Sequence, residues 1–262
     1  MAQTQIGVQL YTLREHLQTP TDIARSFKKI ADMGFTAVQA SGLGPIAVDE
    51  LKKLLDDHGL ACAATHVNLE DLRDTNKILD YHRTLDCQLT ALGGFHPKRV
   101  DQSDWQQFAD ECNNLTSPLA TQGLRVGYHN HSHEWVAFDG PSFKAKRPID
   151  VLADKLDPAV WFEVDTYWVA HAGGDPAAWI TYLAGLGEDR LPAIHVKDMA
   201  IDAQRTQKMC EVGSGNLNWP AILDAAKKAK VRWYLIERDA GDLDPFESLQ
   251  VSLRNMQEMG LS

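Results

Sequence analysis

Long apolar runs are missing from this chain of 262 residues. No stretch reaches the roughly 18 consecutive apolar residues that a membrane-crossing helix requires, so a spanning protein is not expected. The opening residues MAQTQIGVQL lack a basic segment followed by an apolar core, so no secretory leader is expected there either. Cysteine is scarce. Cys62, Cys87, Cys112 and Cys210 are scattered and form no CxxC pair. That spacing argues against a thiolate metal site and suits reduced thiols in the cytoplasm. Basic runs are missing as well. With 26 Lys+Arg against 36 Asp+Glu the formal net charge is −10, which excludes nucleic acid and anionic membranes as expected partners. No Pro/Gly/Ser-rich linker or low-complexity tract divides the chain, and residues 1–262 read as one domain.

What is there is a regular alternation. Short apolar runs begin at IGVQLY (6–11), TAVQA (36–40), ACAATHV (61–67), CQLTALG (87–93), LRVGYHN (124–130), VWFEVD (160–165), PAIHVKD (192–198) and VRWYLIE (231–237). Each is followed by a helical pattern, over 21–34, 47–59, 70–84, 101–123, 148–156, 175–186, 218–230 and 245–260. Strands alternating with helices pair in parallel, and eight such units in this length predict a closed (β/α)8 TIM barrel. A doubly wound open sheet would show a Gly-rich turn after the first strand, and LYTLREHLQTP has none.

In a barrel, alternate strand residues point inward and the chemistry sits at the strands' C-terminal ends. That parity sends Gly127, His129 and His131 of the fifth predicted strand inward. It does the same for Trp161, Glu163 and Asp165 of the sixth, His195 and Lys197 of the seventh, and Trp233, Leu235 and Glu237 of the eighth. His66, ending the third strand, is inward too. His58, His82, His96 and His171 have no such placement and read as surface residues. The ionisable set at the mouth is therefore His129, His131, Asp165, His195, Lys197 and Glu237. Taken singly, each carboxylate could cap the next helix, and each histidine could be a satisfied core residue. Gathered at one end of consecutive strands, they suit Mn²⁺, Mg²⁺, Co²⁺ or Zn²⁺. Such an ion stabilises negative charge on a substrate oxygen while the neighbouring C–H gives up its proton to a nearby carboxylate or imidazole.

The motifs GVQLYTLR (7–14), FKKIADMGFTAVQ (27–39), VDTYWVAHAGGDP (164–176), IHVKD (194–198), VGSGNLNW (212–219) and YLIERD (234–239) resemble the sugar phosphate isomerase/epimerase superfamily, the xylose isomerase-like TIM barrels. The resemblance spans nearly the whole chain. It implies a small carbohydrate substrate, a homo-oligomer as an unsurprising state, and one divalent ion, often Mn²⁺. Glu, Asp, His and Glu from the last four strands hold that ion in the family. Asp165, His195 and Glu237 match three of those positions, but the fourth falls on His129. In VGYHNHSHEW (126–135), the next carboxylate is Glu134. The expectation is that Glu134 folds back to complete the set. The competing arrangement makes His129 the ligand, leaves Glu134 behind it, and frees His131 as a general acid or base.

The resemblance implies a metal-dependent sugar (phosphate) isomerase or epimerase. The YHNHxxE form of the fifth strand resembles a branch acting on 3-keto sugars and their glycosides, which implies a lyase or hydrolase instead. A sugar-binding barrel with a decayed site is the non-enzymatic rival. The endonuclease relatives carry further histidines, and Trp168 stands where one of them would be. Tyr11, His66, Trp135 and Trp168 are the expected substrate contacts, and His129, His131, Lys197 and Glu237 the expected catalytic groups. The Gly-rich stretch EVGSGNLNW (211–219) reads either as a phosphate cradle or as a turn opening the next helix at Asn218.

Overall fold

A computed structural model describes residues 5–98, 101–142 and 144–261. Met1–Thr4, the head of the stretch read above for a leader, lie outside the described residues. In chain order the elements are β1 (Gln5–Gln9), α1 (Pro20–Asp32), β2 (Ala37–Ala40), α2 (Val48–Asp57), β3 (Ala61–Val67), α3 (Thr75–Thr84), β4 (Leu89–Leu92) and α4 (Gln102–Ala120). There follow β5 (Arg125–His129), α5 (Pro148–Lys155), β6 (Trp161–Asp165), α6 (Thr166–His171), α7 (Pro176–Ala184), β7 (Ala193–Val196), β8 (Asp198–Ile201), β9 (Gln207–Cys210), α8 (Trp219–Lys228), β10 (Trp233–Ile236) and α9 (Pro245–Glu258). Short 3-10 helices cover Leu10–His16, Leu69–Arg73 and His133–Trp135. The barrel closes in the order β1-β10-β7-β6-β5-β4-β3-β2, with β1 also paired to β2 and every barrel pairing parallel. This is the predicted (β/α)8 TIM barrel.

Sequence parity sorts the two faces. Outward residues such as Val126, Tyr128, Phe162, Val164, Ile194 and Tyr234 pack into the main core with the helices. Inward residues Ala37, Ala63, Leu89, Ala91, Trp161, Ala193 and Leu235 form a separate plug inside the barrel. Trp161 fills that plug. A Cβ on Gly127 would lie 2.4 Å from the indole ring, so glycine there makes room for it. Helix ends follow local chemistry. The Thr19 hydroxyl accepts the Asp22 N–H and Pro20 opens α1, so the helix starts one residue before Thr21.

Two elements depart from the predicted pattern. The run read as one helix after the sixth strand is preceded by α6, which Asp165 starts by accepting the Trp168 N–H. The stretch after β7 forms an antiparallel hairpin, β8–β9, before α8 begins. Neither is long or periodic enough to show in a pattern search.

Candidate active site

Beneath the barrel mouth lies a layer of inward polar side chains. Gln9 Nε2 donates to Gln39 Oε1 at 2.8 Å, and Gln39 Nε2 donates to Glu163 Oε1 at 2.8 Å. Glu163 Oε2 lies 2.6 Å from His66 Nε2 and 3.2 Å from His195 Nε2. Glu163 is fully buried. Burial alone would raise its pKa, but the imidazoles of His195 and His66 outweigh that and hold it far below the usual carboxylate range. The sequence reading turned Glu163 inward without giving it a role, and gave none to Gln9 or Gln39. Polar residues at inward parity in IGVQ, AVQA and WFEVD were the available signal.

One step towards the mouth, β5, β6, β7 and the residue after β10 bring His129, Asp165, His195 and Glu237 together. One ligand-type atom from each lies within 4.8 Å of the others, and all four residues are buried. His195 Nδ1 is 2.8 Å from Glu237 Oε2 and 3.8 Å from Asp165 Oδ2. Burial opposes a charge on His195, but Glu163 and Glu237 on its two sides raise its pKa to about 10. The Lys197 ammonium sits in the same place. It lies 3.3 Å from Asp165 Oδ2, 3.0 Å from Glu237 Oε2 and 2.9 Å from Asp239 Oδ2. Asp165 also caps α6 through Oδ1, so the cap and the site draw on different oxygens of one carboxylate. Its pKa is pushed up to about 6 by burial, with Lys197 pulling down and Glu237 pushing up.

Glu134 does not complete that set. It is fully buried in the 3-10 turn after β5, where Oε1 accepts the Tyr128 hydroxyl at 2.7 Å and Oε2 accepts the His131 N–H at 2.9 Å. The expectation that it folds back onto Asp165, His195 and Glu237 is therefore corrected, and His129 takes the fourth place. The reason is Tyr128, whose side chain points outward towards α4 and draws Glu134 to the outer side of the strand. Glu134 instead groups with His131 and His133. Burial raises its pKa to about 7, against the pull of the Tyr128 and backbone hydrogen bonds.

The mouth opens into a cavity of about 520 Å³ whose walls include Tyr11, Arg14, His66, His96, His129, His131, Lys197, Glu237 and Asp239. Tyr11 and His66, the expected substrate contacts, both line this cavity. Trp168 lies beside this cavity rather than on its wall, with its ring 5.4 Å from Lys197 Nζ and 5.5 Å from the His131 ring. Trp135 is a correction. It packs on Trp179 at 5.1 Å under the helices and takes no part in the wall. His96 is exposed, as expected, and His82 is a correction of the opposite kind. His96 is on the cavity wall, 5.3 Å from the His131 ring. His82 is buried between Thr65 Oγ1 and the Ile78 carbonyl, 2.8 Å from each. Asp239, Arg14 and His96 are wall residues that strand parity could not find, because none of the three lies on a strand.

The donor set fits a divalent ion. Two imidazoles and two carboxylates suit Mn²⁺, Co²⁺ or Zn²⁺. His129 Nδ1 is buried without a hydrogen-bond partner, with Glu163 Oε2 at 3.6 Å, and an orphaned buried nitrogen calls for an occupant. A second set, His66, His129, Glu163 and His195, also converges and shares His129 and His195 with the first.

The profile of the xylose isomerase-like TIM barrel family matches residues 27–259, and the chain belongs to that family. A search of curated proteins returns no match. Among solved structures, a sugar phosphate isomerase/epimerase from Parabacteroides distasonis ATCC 8503 is similar at TM-score 0.80 and 23% identity, over 100% of this chain and 96% of that one. An L-ribulose 3-epimerase is similar at TM-score 0.69 and 15% identity, over 98% and 94% of the two chains. A D-allulose 3-epimerase from Methylomonas sp. gives TM-score 0.68 and 15% identity, over 98% of each. At these identities the likeness shows the shared barrel fold. Among the described residues no helix is long and apolar enough to cross a membrane.

Proposed function

We propose that this chain is a divalent-metal-dependent sugar isomerase or epimerase that removes a proton from carbon beside a carbonyl. One observation carries the reading. His129, Asp165, His195 and Glu237 converge within 4.8 Å, and two of them, His129 and Glu237, open directly onto the cavity. A bound ion would supply charge stabilisation for a substrate oxygen turning anionic. Lys197 adds a fixed positive charge to the same floor. Its pKa is raised by Asp165, Glu237 and Asp239 against the cost of burial, so it stays an ammonium. Glu237 and Asp239, the wall carboxylates beside Lys197, are placed to carry the proton. His131 contributes a neutral imidazole. Burial, His96 and His133 lower its pKa to about 3, so it stands on the cavity wall as an uncharged group.

A second reading, elimination or hydrolysis of 3-keto-glycosides, is favoured by two features. A symmetrical epimerase needs two opposed carboxylates, and the strand-5 position holds His129 while Glu134 is tied to Tyr128. The cavity also shares His66, Val67 and Asp71 with a neighbouring one of about 680 Å³ between α2 and α3, lined by Ile46, Val48, Ile78 and Tyr81. An aglycone attached to the sugar would have room there.

Incubation in D2O with ketoses and with 3-keto-glucosides, after loading with Mn²⁺, Co²⁺ or Zn²⁺, tests both. Solvent deuterium in an isomerised or epimerised ketose supports the first reading, and a released aglycone the second. A metal-loaded protein that exchanges no substrate C–H in either assay overturns the enzyme reading.

A further inference from the structure

TIM barrels that bind phosphate commonly do so with the loops after the last two strands, where backbone N–H groups converge on the anion. Here the first of those loops already holds an anion of the chain's own. Asp198, fully buried just past β7, turns its carboxylate into the Gly-rich stretch 211–219. Its Oδ2 accepts the N–H of Gly213 at 2.9 Å, the N–H of Gly215 at 3.0 Å and the indole N–H of Trp219 at 2.7 Å. Its Oδ1 accepts the N–H of Met199 at 2.7 Å and of Leu217 at 3.4 Å. The fit is close, since a Cβ on Gly215 would lie 2.5 Å from Oδ1.

The remaining donors of the loop are spent as well. Val212 N–H goes to Ser252 Oγ, Ser214 N–H to the Glu211 carbonyl, and Asn216 N–H to the Met199 carbonyl. Every N–H from Val212 to Leu217 therefore has an internal acceptor. After β10, the guanidinium of Arg238 donates to Glu211 Oε1 and the Leu243 carbonyl, both at 2.6 Å. On the cavity wall itself, Arg14 donates to the Tyr11 and Asp239 carbonyls, and Lys197 is ringed by three carboxylates. The flank between α2 and α3 is lined by Glu70, Asp71, Asp74 and Asp80 against Lys77, which repels an anion.

We infer that the substrate of this site is a non-phosphorylated sugar derivative, because the chain's own Asp198 carboxylate fills the loop that would bind a phosphate and, among the described residues, Lys197 and Arg238 are already paired with carboxylates. The inference rests on the sugar-enzyme reading above and narrows it. It sets the chain apart from enzymes of the same fold whose substrates carry a phosphate handle.

The test is thermal unfolding of the wild type and of Asp198→Ala, each with inorganic phosphate and with chloride at equal ionic strength, and of the wild type with a hexitol and its 6-phosphate. The expected result is no specific shift of wild-type Tm by phosphate, a lower Tm for Asp198→Ala, and recovery of that loss by phosphate entering the vacated loop. The hexitol is expected to stabilise the wild type at about tenfold lower concentration than its phosphate. Wild-type stabilisation by phosphate equal to that of the variant would overturn the proposal, as would tighter binding of the hexitol phosphate. If Asp198→Ala does not fold, the wild-type comparisons decide alone. None of these readouts needs turnover, so failure of the D2O assays would leave the loop result standing.

Discussion

Glu163 and Glu134 are both fully buried at the same end of the barrel, one at its centre and one in the loop after β5. The centre surrounds its carboxylate with Gln39, His66 and His195, and Glu163 is held ionised. The loop gives its carboxylate the Tyr128 hydroxyl, backbone N–H groups and His133 Nε2 at 3.4 Å, and burial pushes Glu134 up to about 7. Burial is equal, so the partners decide the charge. The centre is built to concentrate charge, and the loop to keep one carboxyl where a neutral group is preferred. The same contrast explains why His129, rather than Glu134, stands with the metal-type donors.

The comparison can be broken first at Lys197. Lys197→Met removes the ammonium from between Asp165, Glu237 and Asp239. The protein without metal should lose about 3–5 kcal/mol in denaturant melts, with Mn²⁺ restoring part of it. An unchanged melt would mean that these carboxylates are not charged together.

Next is Glu237→Gln, which should lower metal affinity by about 10³-fold, more than the 10–100-fold expected for an outer partner. Elemental analysis after dialysis reads this directly. Glu134→Ala should leave the metal stoichiometry alone and cost about 2–3 kcal/mol of stability, since it strands the Tyr128 hydroxyl and the His131 N–H. Metal lost from Glu134→Ala but kept by Glu237→Gln would reverse the assignment of the two regions.

A smaller effect is expected from Glu163→Gln. Without that carboxylate His66 and His195 lose the group that orients their rings, and metal affinity should fall about 10–100-fold. Because His195 stands at about 10 and a ligand imidazole must be neutral, metal binding releases a proton and affinity should rise with pH. Titrations at two pH values check the sign.

The smallest expected effect is a slope. The folded pKa of Glu134 is raised from 4.5 to about 7, so its stabilising contribution is complete below 4.5 and is lost as pH rises through about 7. Glu134→Gln should flatten the fall in stability across that window, as melts at both ends would show.

The barrel and most of its inner face were legible because strand parity is strict. Residues two apart share a side, so WFEVD and AIHVK announced Glu163, Asp165, His195 and Lys197 as neighbours before any coordinates. His82 shares the buried face of α3 with Ile78 and Leu79, a helical spacing that could have placed it, whereas Trp135 lies in a short 3-10 turn with no such period. Asp198 illustrates the limit. It read as the last residue of a strand, and four of its five donors come from residues 213–219, fifteen or more positions on.

By itself, then, the sequence determined the eight-fold alternation, the inward ring of His129, Asp165, His195 and Glu237, and the formal net charge of −10. These follow from periodicity and composition, which act locally. The tertiary structure decided where Glu134 goes, which cations stay free, and what fills the Gly-rich loop. Each of those depends on partners from separate elements brought to hydrogen-bonding distance, a competition among polar groups that spacing along the chain does not encode.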